Sequence, residues 1–188
     1  MESLKLVKSE KRYAGKVFDL VVDEIEYPSG NRAIREVAEH PGGAVVVALS
    51  EHDEILLVRQ YRYPMKEFLY ELPAGRLSPG EDPGECAARE LEEETGYRAQ
   101  SLHHLLSFYT SPGFCSERLH IFLAETLEST GKGQQLEEGE LSLTYGWIPL
   151  ADAIEMIRRG EIVDSKTICG IFMLKLHLDS APQSTGAR

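Results

Sequence analysis

Apolar positions recur along the chain in two rhythms, and the rhythms predict the elements. Between Val17 and Glu39, two stretches with β-branched residues flank Tyr27-Pro28-Ser29-Gly30-Asn31, which is turn chemistry between two strands. Gly43 to Leu49 and Ile55 to Gln60 form another such pair around Glu51-His52-Asp53-Glu54. A short strand over Phe68 to Leu72 runs into Pro73-Ala74-Gly75, and Leu102 to Tyr109 and Arg118 to Ala124 fit two more. Helical signals are fewer. Asp82-Pro83-Gly84-Glu85 has an acidic cap, Pro at the first helical position and Glu three residues after the cap, so a helix begins there. It is expected to run to Thr95, with Gly96 ending it in the left-handed conformation. Leu150 to Arg159, ended by Gly160, and Ser165 to Leu178, with Ile168, Ile171, Phe172 and Lys175 at helical spacing, predict two further helices. Glu128 to Gly139 reads as a long surface loop and Asp179 to Arg188 as a frayed tail. Strands and hairpins interrupted by helices predict an α+β fold, an α/β/α sandwich with a mixed sheet between helices.

Composition narrows the classes. At 188 residues the chain fits one domain able to bury a sizeable core, and 42% hydrophobic with 27% charged residues is a globular balance. The net charge of -11 argues against a nucleic-acid partner, since neutralising phosphates calls for clustered Lys and Arg. No run approaches the roughly 18 apolar residues of a membrane span, so no membrane partner is expected. Cys86, Cys115 and Cys169 are an odd number without a CxxC pair, which argues against a disulfide framework or a cysteine zinc site. Met1-Glu2-Ser3-Leu4-Lys5 opens no apolar signal segment, and the expected location is cytoplasmic.

The acidic balance becomes informative between Gly75 and Tyr97. On a helix, Glu90 and Glu94 lie one above the other with Glu93 beside them, so three carboxylates share one face. Like charges there repel, and in the last turn the helix dipole favours cations instead. A solvated Glu-rich helix, helped by Glu85 and Arg89 at i,i+4 spacing, is the plain alternative. A bound divalent cation is the simplest compensation, and all-oxygen ligands select magnesium or manganese ahead of zinc or copper. Pro73-Ala74-Gly75, a strand end entering a glycine-bearing loop, brings backbone carbonyls close to these acids. By contrast, His103-His104 lies on a predicted strand, where neighbours point to opposite faces, and is taken as structural.

The whole segment resembles the Nudix box, Gly-x5-Glu-x7-Arg-Glu-U-x-Glu-Glu-x-Gly-U, through Gly75, Glu81, Arg89, Glu90, Leu91, Glu93, Glu94, Gly96 and Tyr97. Tyr97 is the one mild departure, since an aliphatic residue is commoner there. Ser111-Pro112-Gly113-Phe114 with Glu117 close behind resembles the marker of the ADP-ribose pyrophosphatase branch. Arg59-Gln60-Tyr61-Arg62, Tyr70-Glu71-Leu72-Pro73-Ala74-Gly75 and Gly160-Glu161-Ile162-Val163-Asp164-Ser165-Lys166-Thr167 are similar to that branch too. The similarity runs from about Val17 to Leu178.

That resemblance implies a Nudix fold over 41–178, preceded by an antiparallel β segment over 1–40 in a homodimer interface, with 179–188 a flexible tail. It implies hydrolysis of ADP-ribose to AMP and ribose 5-phosphate, or of another nucleoside diphosphate sugar such as GDP-mannose or ADP-glucose; a catalytically inactive ADP-ribose sensor is the rival from another class. Glu90, Glu93, Glu94 and the Ala74 carbonyl would hold two to three Mg2+ ions, with Mn2+ a substitute. Arg89 would orient the carboxylates, Glu93 standing with it in the catalytic set, and Glu81 would brace the loop. A general base is sought in Leu136-Glu137-Glu138-Gly139-Glu140, with Glu138 favoured and Glu140 the rival or an additional ligand. Arg35, Arg62 and Arg76 are the candidates to meet phosphates or the terminal ribose, with Glu36, Ser111, Gly113 and Glu117 as further substrate contacts. Tyr13, Phe18 and Tyr27 supply aromatic faces for a base. Eight of the eleven surplus negative charges fall within Gly75 to Tyr97 and Glu137 to Glu140, so the acidity belongs to the expected metal and base segments.

Overall fold

The computed structural model describes residues 4–136 and 138–180, so the general-base candidate Glu137 and most of the expected tail lie outside the described residues. In chain order the elements are β1 (Lys5–Ala14), β2 (Asp19–Glu26), β3 (Arg32–Glu39), β4 (Gly43–Ala48), β5 (Glu54–Arg62), β6 (Glu67–Glu71), β7 (Ala74–Arg76), α1 (Pro83–Thr95), β8 (Tyr97–Tyr109), β9 (Arg118–Ser129), β10 (Thr144–Pro149), α2 (Leu150–Arg158) and α3 (Ser165–Ser180), with a 3-10 turn over Glu138–Glu140 before β10. They make three sheets, ordered β1-β2-β3, β10-β5-β6 and β7-β4-β9-β8. Among the strand pairs of the described residues, β4 with β9 is the parallel one, which makes the third sheet mixed.

Strand β4 shows why the layers form. Each of its residues is buried, and successive side chains serve opposite faces. Ala44, Val46 and Ala48 pack with Cys86, Ala87 and Leu91 of α1. Val45 and Val47 pack with Leu150, Ala153 and Met156 of α2 and with Ile171 and Leu174 of α3. The mixed sheet therefore lies between α1 on one side and α2 with α3 on the other, which is the sandwich that the alternation of strands and helices predicts.

Several elements differ from expectation, each for a local reason. Strand β1 is exposed along nearly its whole length, so no apolar alternation marks it, and only backbone pairing with β2 makes it a strand. Strand β8 begins at Tyr97 rather than Leu102, because Gly96 reverses the chain without a connecting loop and Tyr97 packs edge-on against Trp147. Strand β10, not anticipated, completes the sheet by pairing with β5 and runs directly into α2. Strand β9 extends to Ser129, and the loop after it is tied down rather than free.

Those ties serve the end of α1. Gly96 takes φ 73°, its N–H donating to the Glu92 carbonyl. The last carbonyls of α1, which have no helical partner, are met by the following loop. Gln135 N–H donates to the Glu93 carbonyl at 2.7 Å, the Gln134 side-chain amide donates to the Glu94 carbonyl at 2.8 Å, and Thr130 N–H donates to the Gly96 carbonyl at 2.9 Å. At the other end, Asp82 accepts from the N–H groups of Gly84 and Glu85, as its capping chemistry predicts. A side chain at position 96 would meet the backbone of Gly133 at 3.0 Å in addition to the left-handed backbone penalty. Gly96→Ala is accordingly expected to lower stability by about 1–2 kcal/mol, read as a lower urea midpoint at unchanged slope.

Candidate active site

Helix α1 sets three of its glutamates at different depths. Glu94 is 2% exposed and Glu90 8%, whereas the Glu93 side chain is 42% exposed. Glu90 reaches its position only because residue 75 is glycine: a Cβ there would lie 1.8 Å from Glu90 Oε1. Glu94 Oε2 accepts the Ala74 N–H at 3.2 Å, which joins the last turn of α1 to the start of β7. Sequence spacing brings the carboxylates to one helix face, and the close approach of β7 then buries two of them.

Arg89 is the local counter-charge. It bonds Glu81 at 2.9 Å, Glu90 at 2.7 Å and Glu93 at 3.1 Å, rather than pairing with Glu85 along the helix. Bonding to Arg89, with help from the Ser78 N–H, lowers the Glu81 carboxyl to about 2, and Arg89 is raised in turn, chiefly through Glu81. Glu90 moves the other way: burial raises its pKa, against the pull of Arg89. Glu94 is raised well above the ordinary value by burial first, then by the negative charges of Glu90 and Glu140. The Cys86 thiol beneath is pushed up to about 12 by burial and by the charges of Glu81 and Glu90.

Among the described residues, no three His, Cys, Asp or Glu side chains are gathered closely enough to enclose a metal ion as they stand. The donor set nevertheless suits one: hard carboxylate oxygens, two of the carboxylates buried, with Glu90 and Glu140 adding to the cost of ionising Glu94, and Glu93 and Glu140 to that of Glu90. Ionised Glu90 and Glu94 want more positive charge than Arg89 supplies, and a divalent cation of the magnesium class provides it.

Two adjoining depressions open on this helix. The larger, ≈ 930 Å³, runs between Gly15–Asp19 of the amino-terminal segment and the loop after β7, and includes Arg76, Arg89, Glu90, Glu93 and Glu140. The Arg76 guanidinium bonds the Lys16 carbonyl and so stitches its two walls together. The smaller, ≈ 380 Å³, includes His40, Arg62, Ala74, Ser111, Glu117 and Lys166, and shares Gly75 and Arg76 with the first. Thus Ala74, Glu90, Glu93, Arg89, Arg76, Arg62, Ser111, Glu117 and Glu140 line the two depressions, and Glu94, which lines neither, joins them from beneath through the Ala74 N–H. Arg35, Glu36, Gly113 and Glu138 do not line either depression. Arg35 bonds the Tyr27 hydroxyl and the Ile34 carbonyl on the first sheet, and Glu36 stands beside it on β3. Arg62 is bound bidentately to Glu71 at 2.6 Å, and Glu117 accepts the Thr110 hydroxyl at 2.7 Å.

His40, Lys16 and Lys166 also reach these depressions, although the residue patterns give them no role. His40 could have been noticed from the Pro41-Gly42-Gly43 that follows it, and Lys166 lies in a stretch already marked by resemblance. His103 and His104 form no joint site: His104 instead bonds Ser107 at 2.7 Å, which contacts His120 at 2.8 Å.

A helix of buried carboxylates opening on a groove with arginines along its walls is the anatomy of a cation-dependent enzyme acting on phosphate oxygens. The chain belongs to the NUDIX family, whose NUDIX domain matches residues 39–169, and it is a Nudix hydrolase. Enzymes of this family generally need divalent cations. Across 178 residues it is 41% identical to "ADP-ribose pyrophosphatase" of Bacillus subtilis, covering 94% of this chain and 96% of the relative. It is 40% identical to "Methanol dehydrogenase activator" of Bacillus methanolicus, with 92% of each chain covered. The "ADP-ribose pyrophosphatase" of Mycobacterium tuberculosis is also 40% identical, over 88% of this chain and 80% of the relative. A crystal structure described as an ADP compounds hydrolase shares the fold, with a TM-score of 0.81 at 22% identity, covering 95% of this chain and 96% of the other.

The raised pKa of Glu94 carries a stability consequence. A carboxyl whose pKa is higher folded than unfolded destabilises the native state as pH rises from the unfolded value through the folded one. Below both values this contribution vanishes. Without divalent ions, Glu94→Gln is expected to raise the melting temperature at pH 8 and to leave it nearly unchanged at pH 4, measured by thermal unfolding in EDTA.

Proposed function

We propose that the chain hydrolyses the pyrophosphate bond of ADP-ribose, giving AMP and ribose 5-phosphate, with two to three Mg2+ ions per site and Mn2+ as a substitute. The observation that carries this reading is the buried Glu90–Glu94 pair drawn against Gly75 and Ala74, because a charge that Arg89 meets only in part has a use beside a cation. The choice of substrate is supported by relatives named ADP-ribose pyrophosphatase across nearly the full chain.

Glu90, Glu93, Glu94 and the Ala74 carbonyl would hold the ions, with Arg89 orienting Glu90 and Glu93 from the side. Ions held there would supply the positive charge that neutralises the pyrophosphate and lowers the pKa of the attacking water. A glutamate then takes the water's proton. Glu140 is favoured over Glu138, because it faces the groove and its charge reaches Glu90 and Glu94, whereas Glu138 is exposed outside it. Arg62 from the smaller depression and Arg76 from where the two adjoin meet the phosphates or terminal ribose, and Ser111 and Glu117, with Gly113 in the loop between them, flank the sugar.

The amino-terminal segment is read as 1–40 and the hydrolase domain as beginning at 41, and α3 carries the chain past the expected boundary at 178 to Ser180. The first sheet presents Leu6, Val7, Tyr13 and Ile34 to solvent, which supports a homodimer through that segment, with Arg35, Glu36 and the aromatic Tyr13, Phe18 and Tyr27 used across it. No helix among the described residues is long and apolar enough to cross a membrane. Three unpaired cysteines support the cytoplasm as the location.

With Mg2+, turnover of ADP-ribose is expected to exceed that of GDP-mannose and ADP-glucose, with AMP and ribose 5-phosphate resolved by chromatography. No turnover of any of the three would favour a sensor. Glu94→Gln should lower kcat roughly 100-fold or more. Glu140→Gln should depress the alkaline-side rate far more than Glu138→Gln, and equal effects of the two would remove the assignment of the base. Light scattering is expected to give near twice the chain mass of 21.0 kDa; a fully active monomer would exclude a shared site.

A further inference from the structure

Behind the segment that would hold the metal, on the α3 side of the sheet, lies a polar network of which the reaction described above uses Arg62 alone. Glu71, the last residue of β6, is 1% exposed and accepts two bonds from Arg62 and one from Lys166. Lys166 also bonds Asp164 at 3.0 Å. Asp164 in turn accepts the Thr167 N–H at 3.0 Å and its hydroxyl at 2.6 Å. The buried Thr167 oxygen then accepts the Leu72 N–H at 2.8 Å.

From Leu72 the chain reaches the carboxylates in two residues, and each step is fixed. The Pro73 carbonyl accepts the Val46 N–H at 2.8 Å, and the Ala74 N–H donates to Glu94 at 3.2 Å. Helix α3 also bears on Leu72 by contact, since a Cβ at Gly170 would lie 2.4 Å from Leu72 Cδ1. Burying Glu71 among three half-buried charges is a poor way to gain stability, because desolvation offsets their attraction. What the network does provide is a single position for Leu72-Pro73-Ala74.

We propose that Asp164, Lys166 and Thr167 are positioning residues for the metal site, acting from the start of α3 through Leu72 on the Ala74 backbone and Glu94. This rests on the reading of Glu90, Glu93, Glu94 and the Ala74 carbonyl as metal ligands. Thr167 does not touch the ion; it holds the strand segment that aims one ligand and supplies another. Partners that orient metal ligands in this way typically change metal affinity 10–100-fold when removed.

The test is Mn2+ binding to the full chain without substrate, followed by electron paramagnetic resonance of the free ion, with melting in EDTA recorded alongside. Thr167→Val, which keeps the shape and loses the hydroxyl, is expected to weaken Mn2+ binding by about 10-fold or more. Thr167→Ser should restore it to within about twofold, and Lys166→Met should weaken it in the same direction. At saturating Mg2+, the KM for ADP-ribose should stay unchanged in Thr167→Val while the Mg2+ concentration for half-maximal rate rises. Wild-type Mn2+ affinity in Thr167→Val, or equal losses in the Val and Ser variants, overturns the proposal. Should Thr167→Val fail to fold, unchanged Mn2+ affinity in Lys166→Met overturns it equally. A wild-type chain that binds Mn2+ but leaves ADP-ribose intact removes the substrate assignment alone, whereas one that binds no Mn2+ removes both.

Discussion

The packing of Glu90 and Glu94 against the backbone of Gly75 and Ala74 is the constraint on which the rest of the molecule depends. Carboxylates avoid burial, and burial beside each other is worse. Here it follows from three elements brought together: α1 supplies the acids, β7 the glycine that lets Glu90 approach and the N–H that receives Glu94, and β4 the all-buried strand that holds both α1 and β7. The molecule carries an unfavourable charge cluster in its own fold, and the proposed cation would relieve it.

Electrostatic compensation is distributed with a clear division. Arg89 holds Glu81, Glu90 and Glu93 from the outer side, and Glu81 is ionised far into acid as a result. Glu94, deeper, is reached by no such bidentate clamp, and its charge stays costly. Arg62, by contrast, lines the smaller depression while bonded to Glu71, whose carboxyl is kept low against its burial by Arg62 and Lys166. The two sides of the mixed sheet thus differ: on the α3 side the buried Glu71 is matched by two cations, and on the α1 side Glu94 is left short of them.

Much of this was legible in the residues. The cap at Asp82, the helix to Thr95 and the reversal at Gly96 are local chemistry, and α1 follows them residue by residue. The pattern Glu90, Glu93, Glu94 gave the shared face without any structure. Strand β1 left no signal because both its faces are exposed, and β10 because it is defined by its pairing with β5. The loop before Glu138 looked free because the carbonyls that hold it belong to α1, about forty residues earlier.

The sequence by itself determined the elements with strong periodicity, the family, and which acids could serve a metal, since helix geometry alone fixes the spacing of side chains along one face. Only the tertiary structure decided their depth and their partners. Glu93 and Glu94 are neighbours in sequence, yet one reaches solvent and the other is buried, because β7 covers only one of them. Arg62 and Arg76 have the same chemistry on paper, but one meets Glu71 and the other the Lys16 carbonyl. Burial and pairing are set by what arrives from elsewhere in the chain, and these long-range contacts decide whether a charged side chain is solvated, matched, or left to hold an ion.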